Sequence, residues 1–294
     1  LITQKSFNIN TSKKALKISK NKSLTLQTLA LANIPTPRHA TISSPQNYQD
    51  IKIPFPQVIK PLTGEKGQQI FLNIQNQTTG QQAINQVLSH FSTAIIETYH
   101  QGDDYRFLCL NYKVIGIAKR TPPTITGNGK FTIKQLIQIE NQHRFKVNQK
   151  LGRRMLNRMR NWPRLTLNLK LQGLSLKSIP PQGKTITLYP IPNFSTGGSV
   201  KAIDSKTIHP SIIKLAEKVS RTINLQICGI DMIIKSKGSE LQALADPTNV
   251  GLVRNLKATI IEVNSDPGLR LHDWPNKGVP QNTAQKILKS IFNI

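Results

Sequence analysis

Carboxylates are scarce in this chain: 14 Asp and Glu face 40 Lys and Arg over 294 residues, for a formal net charge of +26. Such a balance favours polyanionic partners, namely nucleic acid, phosphates, acidic membranes or an acidic polymer. A composition also rich in Asn, Gln, Ile and Lys gives the charge a second origin, lineage composition. Either way, an acid inside an apolar strand is a marked position. The two cysteines, Cys109 and Cys228, lie in apolar runs, which excludes a disulfide framework or a cysteine metal site and fits reduced core thiols. Aromatic residues make up only 5%, so stacking platforms for single-stranded nucleic acid are few. No apolar run is long enough to span a bilayer, and no secretory leader is recognised, so a cytoplasmic location is expected. A P-loop, a G-x-G-x-x-G fingerprint, an internal repeat and a Ser/His/Asp or Cys/His arrangement are all lacking. The chain opens on Leu1 rather than Met, which leaves room for residues upstream.

What is present is a 37% hydrophobic chain with well-marked strands and helices. Residues 1–22 are polar and basic and show no core. A helix is expected over 23–33, ended by Pro35 and Pro37. Val58 and Ile59 read as a short buried strand that delivers Lys60 to its end. A polar loop, Thr63-Gly64-Glu65-Lys66-Gly67-Gln68-Gln69, follows; it is a hairpin or a phosphate cradle. Strand character over 70–74, a helix over 80–91 and a strand over 94–99 come next. Residues 107–110 and 114–119 read as an antiparallel pair, and a helix follows over 133–139. Residues 142–164 are the most basic stretch, with Leu151, Met155, Met159 and Trp162 recurring at near-helical spacing among the arginines. They form either an anion-binding helix or a surface helix with a solvated basic face. A strand over 185–189 precedes a second loop of small residues, Asn193-Phe194-Ser195-Thr196-Gly197-Gly198, and His209 starts an amphipathic helix.

Two strands near the end carry acids. Residues 227–234 form a buried run with Asp231 in its middle, and a lone buried charge needs a partner or a metal. In residues 260–264, Glu262 and Asn264 sit two apart and share a face. That face is either solvated or a site for a hard cation. Lys60, two glycine loops and basic residues at strand exits, together with Asp231, Glu262 and Asn264, are the equipment for a nucleoside triphosphate with Mg²⁺.

The order and spacing of these segments resemble the ATP-grasp ligases, and within them the ATP-grasp region of the cyanophycin synthetases, over residues 17–294. The segments that carry the resemblance are Val58-Ile59-Lys60-Pro61-Leu62, 102–110, 118–132 with Gly127-Asn128-Gly129-Lys130, 193–198, 228–232 and 262–272. It implies an α/β (α+β) fold in which two α+β lobes grip ATP behind an N-terminal basic segment at 1–20. The lobes would be 21–100 and 101–294, the second with insertions at 142–175 and 236–256. Position by position, it assigns Lys22, Lys60, Gly64, Lys66 and Gly67 to ATP, Glu97 and Tyr99 to the adenine hinge and Asp104 to the ribose. It places Arg106 and Arg120 near phosphates and substrate, and makes Asp231, Glu262 and Asn264 metal ligands. Arg270, with Ser195, Thr196 and Gly197, would hold the reacting carboxylate and its phosphate. The implied cofactors are ATP and two Mg²⁺ ions, with Mn²⁺ as a substitute. The sequence departs from the family where an Arg-Gly step is usual: here it is Gln68-Gln69, and a β-carbon at Gln69 restricts the backbone approach that Gly permits. Residues 238–255 are also longer than the family pattern.

The implied activity is a carboxylate–amine ligase that makes an amide through an acyl phosphate, with Arg270, Arg120 and Lys60 as its catalytic residues. The expected substrate is an amino acid or an acidic peptide. A Mur-ligase-like region downstream and a homo-oligomer are compatible with this reading; a membrane or nucleic-acid partner is not expected. The alternatives are a degenerate module that binds nucleotide or polyanion without turnover, a glutathione-synthetase-like peptide ligase, and a nucleic-acid binder using residues 142–164.

Overall fold

The computed structural model describes residues 11–64, 69–152, 156–159, 162–235 and 257–292. The sequence readings at Lys66, Gly67, Gln68 and 236–256 lie outside the described residues. The chain divides into two compact units, Leu1–Lys119 with Ala202–Asp273 and Val279–Ile294, and Arg120–Lys201 with Trp274–Gly278. The two-lobe division at residue 100 stays an expectation.

Two sheets lie in the first unit except for residues 120–121 and 199–201. The smaller has the order β1-β4-β2-β3, built from His39–Ile42, Ala94–Thr98, Gln57–Pro61 and Phe71–Ile74. Helix α3 (Gln77–Leu88) covers it, and Ile59, Ile84, Val87 and Ile96 form its core. Gly80 is required there, because a Cβ would lie 1.8 Å from the buried Tyr48 hydroxyl. The larger sheet has the order β11-β10-β5-β6-β9, built from Lys257–Asn264, Ile227–Lys235, Asp103–Leu110, Lys113–Thr121 and Ser199–Ala202. One face packs on α6 (Pro210–Ile223) through Phe107, Ile230, Met232, Ala216 and Val219. His209 caps the start of α6, as the sequence predicts.

The N-terminal reading needs correction. Residues 13–20, expected to contribute no core, do contribute to it. They form helix α1 (Lys13–Lys20), capped by Ser12, which buries Ala15 and Ile18 in the main core. Two apolar residues at i and i+3 suffice for a short helix when the rest of its surface faces solvent. Helix α2 (Lys22–Leu31) follows directly, capped by Asn21.

The second unit is built around α4 (Ile133–Lys150), α5 (Trp162–Leu171) and the pair β7 (Thr124–Thr126) and β8 (Thr185–Thr187). Ile125, Ile133, Ile137, Leu165, Leu169 and Ile186 make its core. The basic stretch is not one helix. A capping box at Thr132 and Gln135 starts α4 well before residue 142, and Gly152, at φ +59°, closes it. Leu151 is therefore exposed while Met159 is buried in the core, and the apolar spacing read across 151–162 is not a single helical face.

Candidate active site

Alternation along β10 and β5 creates the site. Cys228, Ile230, Met232 and Ile234 point into the core, as do Tyr105, Phe107 and Cys109. Asp231 and Arg106 are therefore turned to the opposite face, and they are direct register partners. On β11, Ile260 and Val263 are both buried in the core although three apart. The register shift between Asp231 and Met232 accounts for the break in alternation. It leaves Glu262 opposite Asp231 and puts Asn264 opposite Gly229. Arg106, Asp231 and Glu262 thus form a row across three adjacent strands.

The row is tightly bonded. Arg106 grips Asp231 bidentately, Nε to Oδ1 at 2.5 Å and Nη2 to Oδ2 at 2.6 Å, and Asp231 is only 3% exposed. Glu262 Oε1 lies 3.6 Å from Lys22 Nζ, which also donates to the carbonyl of Gly64 at 3.0 Å. On the smaller sheet, Lys60 Nζ is 2.8 Å from Glu97 Oε1, both side chains buried. Three cations are thus each held by a carboxylate: Lys22 by Glu262, Lys60 by Glu97 and Arg106 by Asp231. Such a set can exchange partners when a polyanion and a metal enter together.

Beyond this row, Asp104 stands opposite Ile233 on β5, and its neighbour Asp103 is paired with Lys119 at 2.7 Å. The Tyr99 amide donates to the carbonyl of Pro56. Tyr99, with His100, Ile233 and Thr259, lines a cavity of about 350 Å³ that also reaches Lys235 and Lys257. His100 joins the two sheets: its Nε2 meets Thr98 Oγ1 at 3.1 Å and its Nδ1 meets Thr259 Oγ1 at 3.3 Å. Burial pushes the His100 pKa down, against the pull of Glu97. Sequence reasoning passed over His100; its place beside Tyr99 at the end of β4 was the available signal. Arg270 opens the short helix α7 (Arg270–Asp273) just after β11.

Arg120, Ser195, Thr196 and Gly197 belong to the second unit. There the 193–198 loop is a tight turn. Asn193 Oδ1 accepts from the Ser195 hydroxyl at 2.8 Å, the Asn193 carbonyl accepts from the Thr196 hydroxyl at 3.1 Å, and Gly197 sits at φ +100°.

The donor set fits a hard divalent cation. Asp231 and Glu262 offer carboxylate oxygens on adjacent strands, and Asn264 on β11, opposite Gly229, adds an amide oxygen. Each carboxylate oxygen has two lone pairs, so Asp231 can keep Arg106 and still serve a metal. Among the described residues, no three His, Cys, Asp or Glu side chains come together, which leaves the two-carboxylate, one-amide set as the candidate centre.

Comparison with known proteins identifies related sequences and folds. Residues 19–134 match the RimK-like ATP-grasp domain. The chain carries an ATP-grasp domain. A cyanophycin synthetase of Geminocystis herdmanii is 33% identical over 275 residues, 91% of this chain and 30% of that protein. The glutathione biosynthesis bifunctional protein GshAB of Clostridium perfringens is 35% identical over 202 residues, 69% of this chain and 24% of that protein. The chain therefore spans less than a third of the length of these curated relatives. Among solved structures, a bifunctional glutathione synthetase from Pasteurella multocida superimposes with a TM-score of 0.58 at 24% identity, covering 97% of this chain and 38% of that one. The fold is the ATP-grasp fold, with the mixed helix and strand content expected from the sequence. Among the described residues no helix is long and apolar enough to cross a membrane.

Proposed function

We propose that this chain is an ATP- and Mg²⁺-dependent ligase that joins a carboxylate to an amine through an acyl phosphate. The observation that carries the reading is the row Arg106–Asp231–Glu262, with Asn264 beside it and Lys22 bonded to its outer member. A carboxylate oxygen of the substrate attacks the γ-phosphorus of ATP and ADP departs. The amine nitrogen then attacks the acyl carbon, phosphate leaves, and the nitrogen loses a proton. Lys22, Lys60 and Arg106 hold phosphate oxygens, so that reacting atoms are aligned and developing charge is met by fixed cations. Asp231, Glu262 and Asn264 would hold Mg²⁺, as two ions or with Mn²⁺ in its place; bound there, the metal would neutralise phosphate charge. Glu97 and Tyr99 would hold adenine, Asp104 the ribose, and Gly64, Lys66 and Gly67 the phosphates. Arg270, Arg120, Ser195, Thr196 and Gly197 would serve the carboxylate and its phosphate.

The similarity to cyanophycin synthetase and to glutathione biosynthesis proteins supports an amino acid or peptide as substrate, and the +26 charge favours an acidic one. A cytoplasmic setting, a following Mur-ligase-like region and self-association belong to the same proposal. One observation favours a second reading, a nucleotide-binding module without turnover: Gln69 is held at φ +46°, where a side chain is costly, next to the proposed phosphate loop. Calorimetry of Mg·ATP binding, followed by ADP release across a panel of amino acids and acidic dipeptides, separates the two. Glu262→Gln should abolish ADP release while the melting transition is kept. Unchanged turnover in that variant would sink the metal assignment.

A further inference from the structure

Helix α4 carries three polar residues, Asn141, Arg144 and Asn148, at spacings that put them on one face. That face binds the backbone of residues 156–159. Asn141 Nδ2 donates to the Met159 carbonyl at 3.0 Å and Oδ1 accepts from the Met159 amide at 2.8 Å. Asn148 does the same at Leu156, donating at 2.7 Å and accepting at 2.8 Å. Arg144 lies between them. Its Nη1 donates to the carbonyl of Asn157 at 2.7 Å and to the carbonyl of Gly197 at 2.9 Å, while Nε donates to Glu140 at 2.7 Å. Asn157 Nδ2 in turn donates to the carbonyl of Phe194 at 2.9 Å. The 193–198 loop is thus tied at two carbonyls, one to Arg144 and one to Asn157.

Both tying residues are buried, Arg144 at 7% exposure and Asn157 at 4%. A buried guanidinium carries a desolvation cost that an apolar residue of similar volume would avoid. The loop also has no room to shift toward Met159: a Cβ on Gly197 would come within 2.9 Å of the Met159 Cγ and 3.0 Å of its Cα. The guanidinium therefore fixes the loop where apolar packing alone would leave its carbonyls unbonded. Its Nη1 meets the Gly197 carbonyl oxygen while its charge is paired with Glu140.

We propose that Arg144, seconded by Asn157, is a positioning residue that holds the 193–198 loop in the conformation used to bind the acyl phosphate. This rests on the ligase reading for the loop's task; the latch itself rests on the hydrogen bonds above. Of the arginines in the basic stretch, Arg144 thus works inward on the loop, with no solvent-facing role.

Three variants of the full chain test it: Arg144→Met, Arg144→Lys and Asn157→Ala. Amide hydrogen exchange over 193–198 should speed up about tenfold or more in Arg144→Met and in Asn157→Ala, the loss expected for one strong hydrogen bond. Peptides covering β2 and β10 should keep wild-type protection. In ADP-release assays, kcat should fall about tenfold or more while the KM for ATP moves less than about twofold, and Arg144→Lys should recover much of the rate by restoring a donor. Unchanged exchange in the loop overturns the latch. A fall in ATP binding matched by a general loss of protection overturns a positioning role in favour of a structural one. If Arg144→Met does not fold, Asn157→Ala decides alone. A wild type that releases ADP with no acceptor in the panel defeats the ligase reading and the loop's catalytic task with it, while the exchange data still decide whether Arg144 holds the loop.

Discussion

Replacing Arg106 with Met would leave Asp231 buried without its guanidinium. In the native pair, two charge-assisted bonds of 2.5 and 2.6 Å join groups that are almost fully enclosed. With charge centres near 4 Å and an effective dielectric of about 20, their attraction is worth about 4 kcal/mol. Breaking a buried pair from one side typically costs about 3–5 kcal/mol, because the remaining charge stays uncompensated. At about 2–4 °C per kcal/mol, the transition of the first unit should drop by roughly 10 °C in metal-free buffer. A divalent cation at Asp231 and Glu262 would replace part of the lost positive charge. At 10 mM Mg²⁺ and a dissociation constant of about 1 mM, mass action returns about 1.4 kcal/mol, or roughly 3–5 °C. The assay is differential scanning calorimetry of wild type and variant with EDTA and with Mg²⁺, using Na⁺ at matched ionic strength as the control. The variant should gain more from Mg²⁺ than the wild type, whose Asp231 is already compensated. A variant that melts low but gains nothing specific from Mg²⁺ would refute the placement of a cation on these carboxylates.

Gln69→Gly should relieve the φ +46° conformation, worth about 1–2 kcal/mol locally and partly offset by the entropy that glycine adds to the unfolded chain. ATP affinity measured by calorimetry should tighten about two- to fivefold, and weaker binding would count against a role for this position in the phosphate loop. For His100, burial favours the neutral ring, so the folded pKa lies below that of the unfolded chain, near 6.5. As pH falls below about 6.5 the unfolded chain binds a proton first, and stability should decline until the folded pKa is passed. His100→Gln should flatten that decline in urea titrations between pH 7.5 and 5; an unchanged slope would remove His100 as its source.

The strands of the site were readable as short apolar runs interrupted by Asp231 in 227–234 and by Glu262 and Asn264 in 260–264, although the register shift beside Asp231 breaks the alternation of the second. The partnership of Arg106 with Asp231 was not readable. It depends on which strand lies beside which, and the two residues are 125 positions apart in the chain. The same holds for Lys60 with Glu97, each placed in ATP binding by resemblance and here bonded to the other. The basic stretch misled for a different reason. Residue charge suggests solvent exposure, yet Arg144 is buried because the carbonyls of Asn157 and Gly197 accept its hydrogen bonds, and backbone acceptors leave no mark in a sequence. Gly152 did leave a mark, as a helix-ending glycine after Lys150, and it was outweighed by the apolar spacing around it.

The scarcity of acids acquires a structural meaning from these pairings. Asp273 accepts from the amides of Thr283 and Ala284 at the start of helix α8 (Thr283–Phe292), and Asp204 caps a turn through the amide of Lys206. Glu217 joins Lys113 and Arg221, and Glu140 holds Arg144. The carboxylates of the first unit's candidate site hold Lys22, Lys60 and Arg106. These described acids are thus placed where a specific donor meets an acceptor. The candidate site is close to balanced in charge inside a protein of +26. A chain arranged this way draws anions in through its overall field, which acts over about a Debye length, roughly 8–10 Å at ordinary salt. Short-range exchange of partners then decides what is held. On the proposed reading, a ligand that brings both phosphate for Lys22, Lys60 and Arg106 and a metal for Asp231 and Glu262 would meet both halves of these pairs. A bare polyanion would meet only the first half, so under that reading a metal-bound nucleotide would be favoured over nucleic acid at this face.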